Sequence, residues 1–302
     1  MKLSVVISAF NEEEKIRDCL ASVSFADEVI VVDNSSTDKT AQIAKEYKAK
    51  IFTRPNNPML NVNKNFGFAK ATGEWILSLD ADERITPELK KEIESRIRNY
   101  ELGINGFWIS RKNIIFGKWM EHAGWYPDYQ MRLFRRNKGK FPALHVHEMI
   151  EVEGKTAHLK EHILHYNFET LSQFIYKHAE LYAPNEAENL LKKGYKFSVV
   201  DAVRFPAREF LSRFFAREGY KDGLHGLVLS LLLAFYHLII FAQIWEKQGF
   251  KEYNNDNFLG IVGKELKESS KETAYWVANE KIKQSKNILE ETVLKIQRKM
   301  KS

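Results

Sequence analysis

Asp80-Ala81-Asp82 is where the side chains of this 302-residue chain are best arranged to do chemistry. Two carboxylates one residue apart follow the apolar run Trp75 to Leu79, so they stand at the end of a strand, where a ligand would lie. Hard cations such as Mg²⁺ and Mn²⁺ take oxygen ligands and are commonly held by one or two carboxylates plus substrate phosphates. The triplet therefore predicts a divalent-metal site that works on a phosphorylated ligand. Paired acids are common in surface loops, and what gives these weight is their place after a strand introduced by Gly73-Glu74-Trp75. Two more polar clusters follow apolar runs: Asn11-Glu12 after Leu3 to Ala9, and Asp33-Asn34-Ser35 after Val29 to Val32. The second also suits a plain turn. Glu12, Glu13 and Glu14 together suit the positive end of a helix better than a catalytic cluster.

The elements that must position these residues alternate. Strands are expected at Leu3 to Ala9, Val29 to Val32, Ile51-Phe52 and Trp75 to Leu79. Helices are expected after Asn11, which can cap the first, after Ser36-Thr37-Asp38 as far as Tyr47, and from Asn63 to Ala71. Another opens at Thr86-Pro87-Glu88, a cap with proline at the first helical position. Such alternation predicts an α/β fold with a mostly parallel sheet, helices on both faces, and its ligand site at the carboxyl ends of the strands. From Gly106 to Tyr166 the pattern predicts short strands and aromatic loops, and beyond Leu171 mainly helix.

SVVISAFNEEEKI, EVIVVDNSSTDKT and ATGEWILSLDADE, in that order and spacing, resemble family-2 glycosyltransferases of the GT-A fold, over residues 1–170. PDYQMRLFRR, FPALHVHE and LHYNF resemble the branch containing lipopolysaccharide-core β-1,4-glucosyltransferases, which implies an inverting transfer. The resemblance implies a nucleotide-sugar donor, of UDP type, and a saccharide or lipid-linked acceptor. Ala9, Phe10, Asn11 and Glu12 would border the base and ribose, Asp33 would bond the nucleoside, and Asp80 and Ala81 would approach the ribose. Asp82 would hold the metal between the two phosphates. Asn34 stands where many relatives carry a second acid. His165 stands where some GT-A enzymes complete the metal site with a histidine, against the plainer reading of a hydrogen-bonded structural residue. His145 and His147 alternate along the chain and could both be ligands. Arg132, Arg135 and Arg136 could offset diphosphate charge.

An inverting transfer needs one general base for the acceptor hydroxyl. The family's usual Glu-Asp pair does not occur in the corresponding region, which leaves Glu148 and Asp128. Glu148 is preferred, because RLFRR followed by FPALHVHE occupies the place leading to that pair.

Residues 171–302 read as a helical region that associates with a membrane or a partner. Arg204 to Arg217 predicts a basic amphipathic helix, and residues 192–221 carry eight Lys/Arg against three Asp/Glu. Leu227 to Trp245 follows without a charge, close to the minimum for a spanning helix but interrupted by Ser230, His237 and Gln243. Together they predict an anchor on an anionic membrane surface, with an oligomer contact as the competing reading. The single Cys19 allows no disulfide within the chain, and MKLSVVISAF lacks the make-up of a signal peptide. The expected place is the cytoplasm, peripheral on the inner face of the membrane. The net charge of +6 alone would admit nucleic acid, but the basic residues interleave with a hydrophobic helix. A sugar-phosphate nucleotidyltransferase would need a glycine-rich loop after the first strand, and SAFNEEEKI has none. A catalytically dead nucleotide- or glycan-binding module is the remaining alternative.

Overall fold

The computed structural model describes residues 2–57, 60–98, 103–143, 148–253 and 255–285, with Thr292 and Lys295. The chain forms two compact units: residues 1–114 with 126–167, and residues 115–125 with 168–302.

In the first unit the elements run β1 (Leu3–Ala9), α1 (Ile16–Ser22), β2 (Glu28–Asp33), α2 (Thr40–Glu46), β3 (Lys50–Thr53), α3 (Leu60–Lys70), β4 (Trp75–Asp80), β5 (Glu83–Ile85) and α4 (Pro87–Arg98). Then come β6 (Ile104–Ile115), β8 (Asp128–Arg135), β9 (Gly139–Lys140), β10 (Glu151–Val152) and β11 (Lys155–Phe168), while the short β7 (Lys118–Trp119) falls in the second unit. Among the described residues the main sheet has the order β3-β2-β1-β4-β8-β6-β11-β5. Strands β3, β2, β1 and β4 are parallel, and β8 then runs antiparallel to both β4 and β6. This is the expected α/β, GT-A-type sheet.

Alternation along each strand serves two cores. Val5, Ile7, Val31, Leu77 and Leu79 pack with α1, α2 and α4 on one face, while Val6, Ile30, Val32 and Ile76 pack with Phe68 of α3 on the other. Strands covered on both faces must be apolar throughout, which is why β1 and β4 read as continuous runs. The crossover thus changes face with α3, between β3 and β4, and the topological switch lies between β1 and β4. α3 reaches the sheet closely because of Gly67, where a Cβ would stand 2.5 Å from Val6 Cγ1. Thr86 caps α4 as expected, its hydroxyl accepting from the Leu89 amide at 3.1 Å.

Three expectations are corrected. Asn11 does not cap α1, which starts only at Ile16; it adopts a left-handed φ of 53°, tolerated by asparagine, and its Oδ1 accepts from the Thr37 amide at 2.8 Å. The region after Gly106 contains long strands, β6 of 12 residues and β11 of 14, because antiparallel pairing lets half-exposed polar residues alternate with core ones. Arg204 to Arg217 is not one regular helix but α7 (Asp201–Leu211) followed by a π-helical turn, Ser212–Ala216.

The second unit continues with α5 (Leu171–Tyr176), a π-helical turn (Lys177–Tyr182) and α6 (Ala183–Lys192). After α7 come α8 (Leu224–Lys247) and α9 (Phe258–Gln284). Its cores are Met120, Phe168, Phe174, Leu229 and Leu233 in one cluster, and Ala183, Ala187, Ile240 and Ile244 in another.

Candidate active site

The parallel register brings the predicted strand ends together: Ala9 lies opposite Asp33 and Ser8 opposite Asp80. The turn after β1 is laced to the turn after β2. The amides of Asn11, Glu12 and Glu13 donate to Ser36, Thr40 and Asp38 at 3.0, 2.8 and 3.0 Å. Glu13 in return accepts from the Lys39 amide at 3.0 Å, so it serves the start of α2 and not that of its own helix. Phe10 is exposed beside this turn, whereas the side chains of Ala9 and Ala81 are buried in the core and offer the cleft only backbone.

Asp33 is buried and accepts from the Ser36 amide at 3.2 Å, the turn role that its sequence context suggested. Asn34 is a link in the scaffold. Its amide nitrogen donates to Ser8 Oγ and to the Ala9 carbonyl, both at 3.0 Å, and its Oδ1 accepts from Asn63 at 2.5 Å. A carboxylate could not donate to a carbonyl, so the departure from an acid at this position has a structural reason.

The two acids of the triplet sit in different surroundings. Asp80 is bracketed by cations, with Lys64 Nζ at 2.5 Å from one oxygen and Arg132 at 2.7 Å from the other. Burial raises its pKa, but Lys64 and Arg132 outweigh burial and hold the carboxyl well below the usual range. Asp82 has one oxygen 3.5 Å from His165 Nε2. Its other oxygen, Oδ1, is buried and meets no hydrogen-bond donor. Here too burial raises the pKa and the His165 partnership, the next largest influence, turns the balance downward.

His165 is buried and its Nδ1 lies 2.7 Å from Asn113 Oδ1. Asn113 is oriented in turn, because its NH₂ donates to Asp128 at 3.1 Å. The chain Asp128–Asn113–His165–Asp82 therefore puts a proton on Nδ1 and points Nε2 at the carboxylate. Asp128 also accepts from Arg111 at 2.8 Å and from Gln130 at 2.8 Å. Burial pushes its pKa up, but Arg111 and these hydrogen bonds bring it below the ordinary carboxylate value.

Glu148 accepts at Oε2 from the Ala143 amide at 2.7 Å and from Asn61 at 3.2 Å. Asn61 and Lys64, three residues apart on α3, thus hold Glu148 and Asp80 on one side of that helix. His145 and His147 lie outside the described residues.

Sequence reasoning missed Glu83, Lys64, Arg111 and Asn113. Glu83 is fully buried; it accepts from the Asp80 amide at 3.0 Å and pairs with Arg132 at 2.6 Å and Arg111 at 3.3 Å. Arg132, expected to meet diphosphate, is itself buried between Asp80 and Glu83. Arg135 lies opposite Trp75 at the start of β4 and stacks over its ring at 5.1 Å, so Arg135 and Arg136 belong to the far end of the sheet. Among the described residues no three His, Cys, Asp or Glu side chains form a ready-made cation cage.

A sheet with a topological switch, whose strand ends gather an Asp-X-Asp pair, a histidine and two cations, has the arrangement of a ligand site in an α/β enzyme domain. Residues 4–151 match the family model for glycosyl transferase family 2, and the chain is a glycosyltransferase whose N-terminal half is a domain of that family. An uncharacterized glycosyltransferase of Rickettsia typhi is 29% identical over 256 residues, covering 81% of this chain and 87% of the relative. The lipopolysaccharide core biosynthesis glycosyltransferase LpsC of Rhizobium meliloti is 24% identical over 262 residues, covering 84% and 96%. Among solved structures, S. aureus TarS 1–349 in complex with UDP is similar with a TM-score of 0.44 and 18% identity, over 85% of this chain and 94% of that one.

Proposed function

We propose that this glycosyltransferase transfers a sugar from a UDP-sugar to a saccharide or lipid-linked acceptor, with inversion, in the synthesis of lipopolysaccharide or another envelope glycan at the cytoplasmic face of the membrane. The likeness to LpsC, named for lipopolysaccharide core biosynthesis, supports the acceptor class. The observation that carries the donor chemistry is Asp82 Oδ1, a buried anionic oxygen without a donor, beside the Nε2 of an oriented histidine. A buried unpaired carboxylate oxygen is costly. A divalent cation removes that cost, so the residues fit one: Asp82 and His165 would hold it and the donor's phosphates would complete its shell. Bound there, Mg²⁺ or Mn²⁺ would neutralise charge developing on the departing diphosphate.

The chain's own residues divide the remaining work. Lys64 and Arg132 fix Asp80 in place, facing the ribose. Asp128 orients Asn113 and through it His165, and its fully engaged carboxylate suits positioning better than proton transfer. Glu148 takes the proton from the acceptor hydroxyl, held by Asn61 on the same side of α3 as the Lys64–Asp80 pair. The test is a donor panel. The purified chain, with Mn²⁺ or Mg²⁺, is expected to release nucleotide diphosphate from a UDP-sugar and to stop on addition of EDTA. Release that ignores EDTA would refute the metal assignment, and no release from any donor would favour the dead binding module.

A further inference from the structure

From Leu224 to Trp245 the solvent-facing positions of α8 are Leu224, Val228, Leu231, Phe235, Leu238 and, with Ala242 between, Trp245. They recur in steps of four and three, so they line one side of the helix. Not one of them is polar. Over roughly 30 Å of helix, at 1.5 Å per residue, this line offers only hydrocarbon and one indole, and the half-exposed polar residues His225, Tyr236, His237 and Gln243 stand off it. Leu224 is 72% exposed and Phe235 54% exposed, so these side chains stand proud of the surface. Soluble surfaces rarely carry so large a continuous apolar patch unless something covers it.

The surroundings indicate what does. A lone helix seam would suit a second helix, and such seams are flanked by charges that set the pairing. Here Leu227, Leu232, Ile239 and Phe241 flank the line with apolar side chains, His225 and Gln243 are the polar ones beside it, and no Asp, Glu, Lys or Arg occurs from Leu224 to Trp245. The patch also widens beyond the helix: Ile175 of α5 lines a shallow depression with Leu232 and Phe235, and Tyr176 beside it is 60% exposed. At the C-terminal end of α8 an exposed aromatic group gathers. Trp245 and Phe250 meet edge to face at 5.1 Å, Tyr253 and Phe258 lie 6.0 Å apart, and the Trp245 indole N–H donates to the Lys251 carbonyl at 2.9 Å. Amphipathic rings with adjacent lysines, here Lys247 and Lys251, are the composition of a headgroup layer contact.

Two of the four arginines expected to make the electrostatic anchor are otherwise engaged. Arg204 is gripped by Glu265 at 2.7 and 2.9 Å, and Arg213 by Glu209 and by the Ala123 carbonyl at 2.9 Å. We propose that the α8 stripe and its aromatic end form a lipid-bilayer contact that inserts by apolar burial, in the plane of the interface, with little dependence on anionic lipid. The inference deepens the proposed function by naming the surface that meets the membrane, and rests on it only for the acceptor.

Vesicle flotation of the full chain tests it. With phosphatidylcholine vesicles and with vesicles containing phosphatidylglycerol, the parent is expected to float with both and to remain bound at about 0.5 M salt, where surface charge is screened. Leu231→Gln/Phe235→Gln/Leu238→Gln should weaken binding at least tenfold, while Arg204→Gln/Arg208→Gln should float like the parent. Should the triple variant fail to fold by circular dichroism, Phe250→Ala/Tyr253→Ala, in an exposed loop, should still weaken binding several-fold. Failure of the parent to float, or a folded stripe variant that floats undiminished, overturns the proposal. So does a parent that sediments as a dimer without binding vesicles and becomes monomeric in the triple variant, which would assign the stripe to a second copy. UDP-sugar hydrolysis without vesicles reads the proposed chemistry separately, so failure of one is not mistaken for failure of the other.

Discussion

Both ends of the sheet in the first unit hold buried carboxylates, and they are treated oppositely. At the amino-terminal end Glu28 is surrounded by donors: Ser4 Oγ at 2.5 Å, the Thr72 amide at 2.8 Å, Thr72 Oγ1 at 3.1 Å and Lys50 Nζ at 2.6 Å. At the carboxyl end Asp82 keeps one buried oxygen with no donor at all. A cavity of about 560 Å³ opens beside Glu28, yet a satisfied carboxylate has nothing left to offer a ligand. A cavity alone therefore marks no site here, and hydrogen-bond accounting is what distinguishes the two carboxylates.

The largest effect that could break this comparison is at Asp82. Asp82→Asn is expected to lower metal-dependent sugar transfer by about three orders of magnitude, comparable to losing a major electrostatic stabiliser. Its melting temperature should stay close to the parent's, because the lost oxygen has no partner in the fold. Transfer rates and thermal denaturation measured on the same preparation decide the matter; a large loss of stability would make Asp82 a scaffold residue like Glu28.

Next comes Glu148→Gln. As a general base, Glu148 should be worth at least about a hundredfold in turnover, with UDP-sugar affinity unchanged. Calorimetric titration of the donor beside steady-state transfer would show it. Loss of donor affinity instead would make Glu148 a clasp for Asn61 and α3.

Asp128→Asn should act more gently, and through metal. It frees Asn113 to rotate and so loosens the His165 tautomer, an outer-shell effect of about 10- to 100-fold on metal affinity. The activity curve against Mn²⁺ should shift to higher concentration and recover most of the parent rate at saturation. A rate that stays low at saturating Mn²⁺ would return the proton-transfer role to Asp128.

How much of this was legible in the sequence follows from distance along the chain. The β1, β2 and β4 runs and the polar residues just after them are local patterns, so Asp80, Asp82, Asp33 and Asn11 stand out from residue order alone. Lys64, Glu83, Arg111 and Asn113 do not, because each acquires its role from a partner brought in by tertiary register. Arg132 reaches Asp80 across 52 residues of sequence, because β8 runs antiparallel beside β4. Asn113 meets His165 from 52 residues away. Glu83 offered one signal, a third acid immediately after the triplet, but its burial depends on Arg111 and Arg132 arriving from other strands. The helix cap assigned to Asn11 failed for the same reason: its real partner is the turn after β2.

The smallest effect on chemistry, and the sharpest contrast, is expected from Glu28→Gln. Its four donors lie at the opposite end of the sheet from Asp82, so the folded variant should transfer sugar at close to the parent rate. Stability should fall by about 2 kcal/mol, since charge-assisted hydrogen bonds become weaker neutral ones and the amide's NH₂ meets donors. The pH dependence gives the sign. Burial raises the Glu28 pKa, but Lys50, Ser4 and Thr72 together lower it to about 2, against about 4.3 in an unfolded chain. A carboxyl depressed on folding adds stability that is fully present above the unfolded value and is lost as pH falls through that window. Urea unfolding of parent and variant should therefore differ most above about pH 5 and converge as pH approaches 2. A gap independent of pH would mean that the charge of Glu28 contributes nothing and that shape alone explains its burial. A matching loss of transfer activity in the folded variant would erase the distinction between the two ends of the sheet.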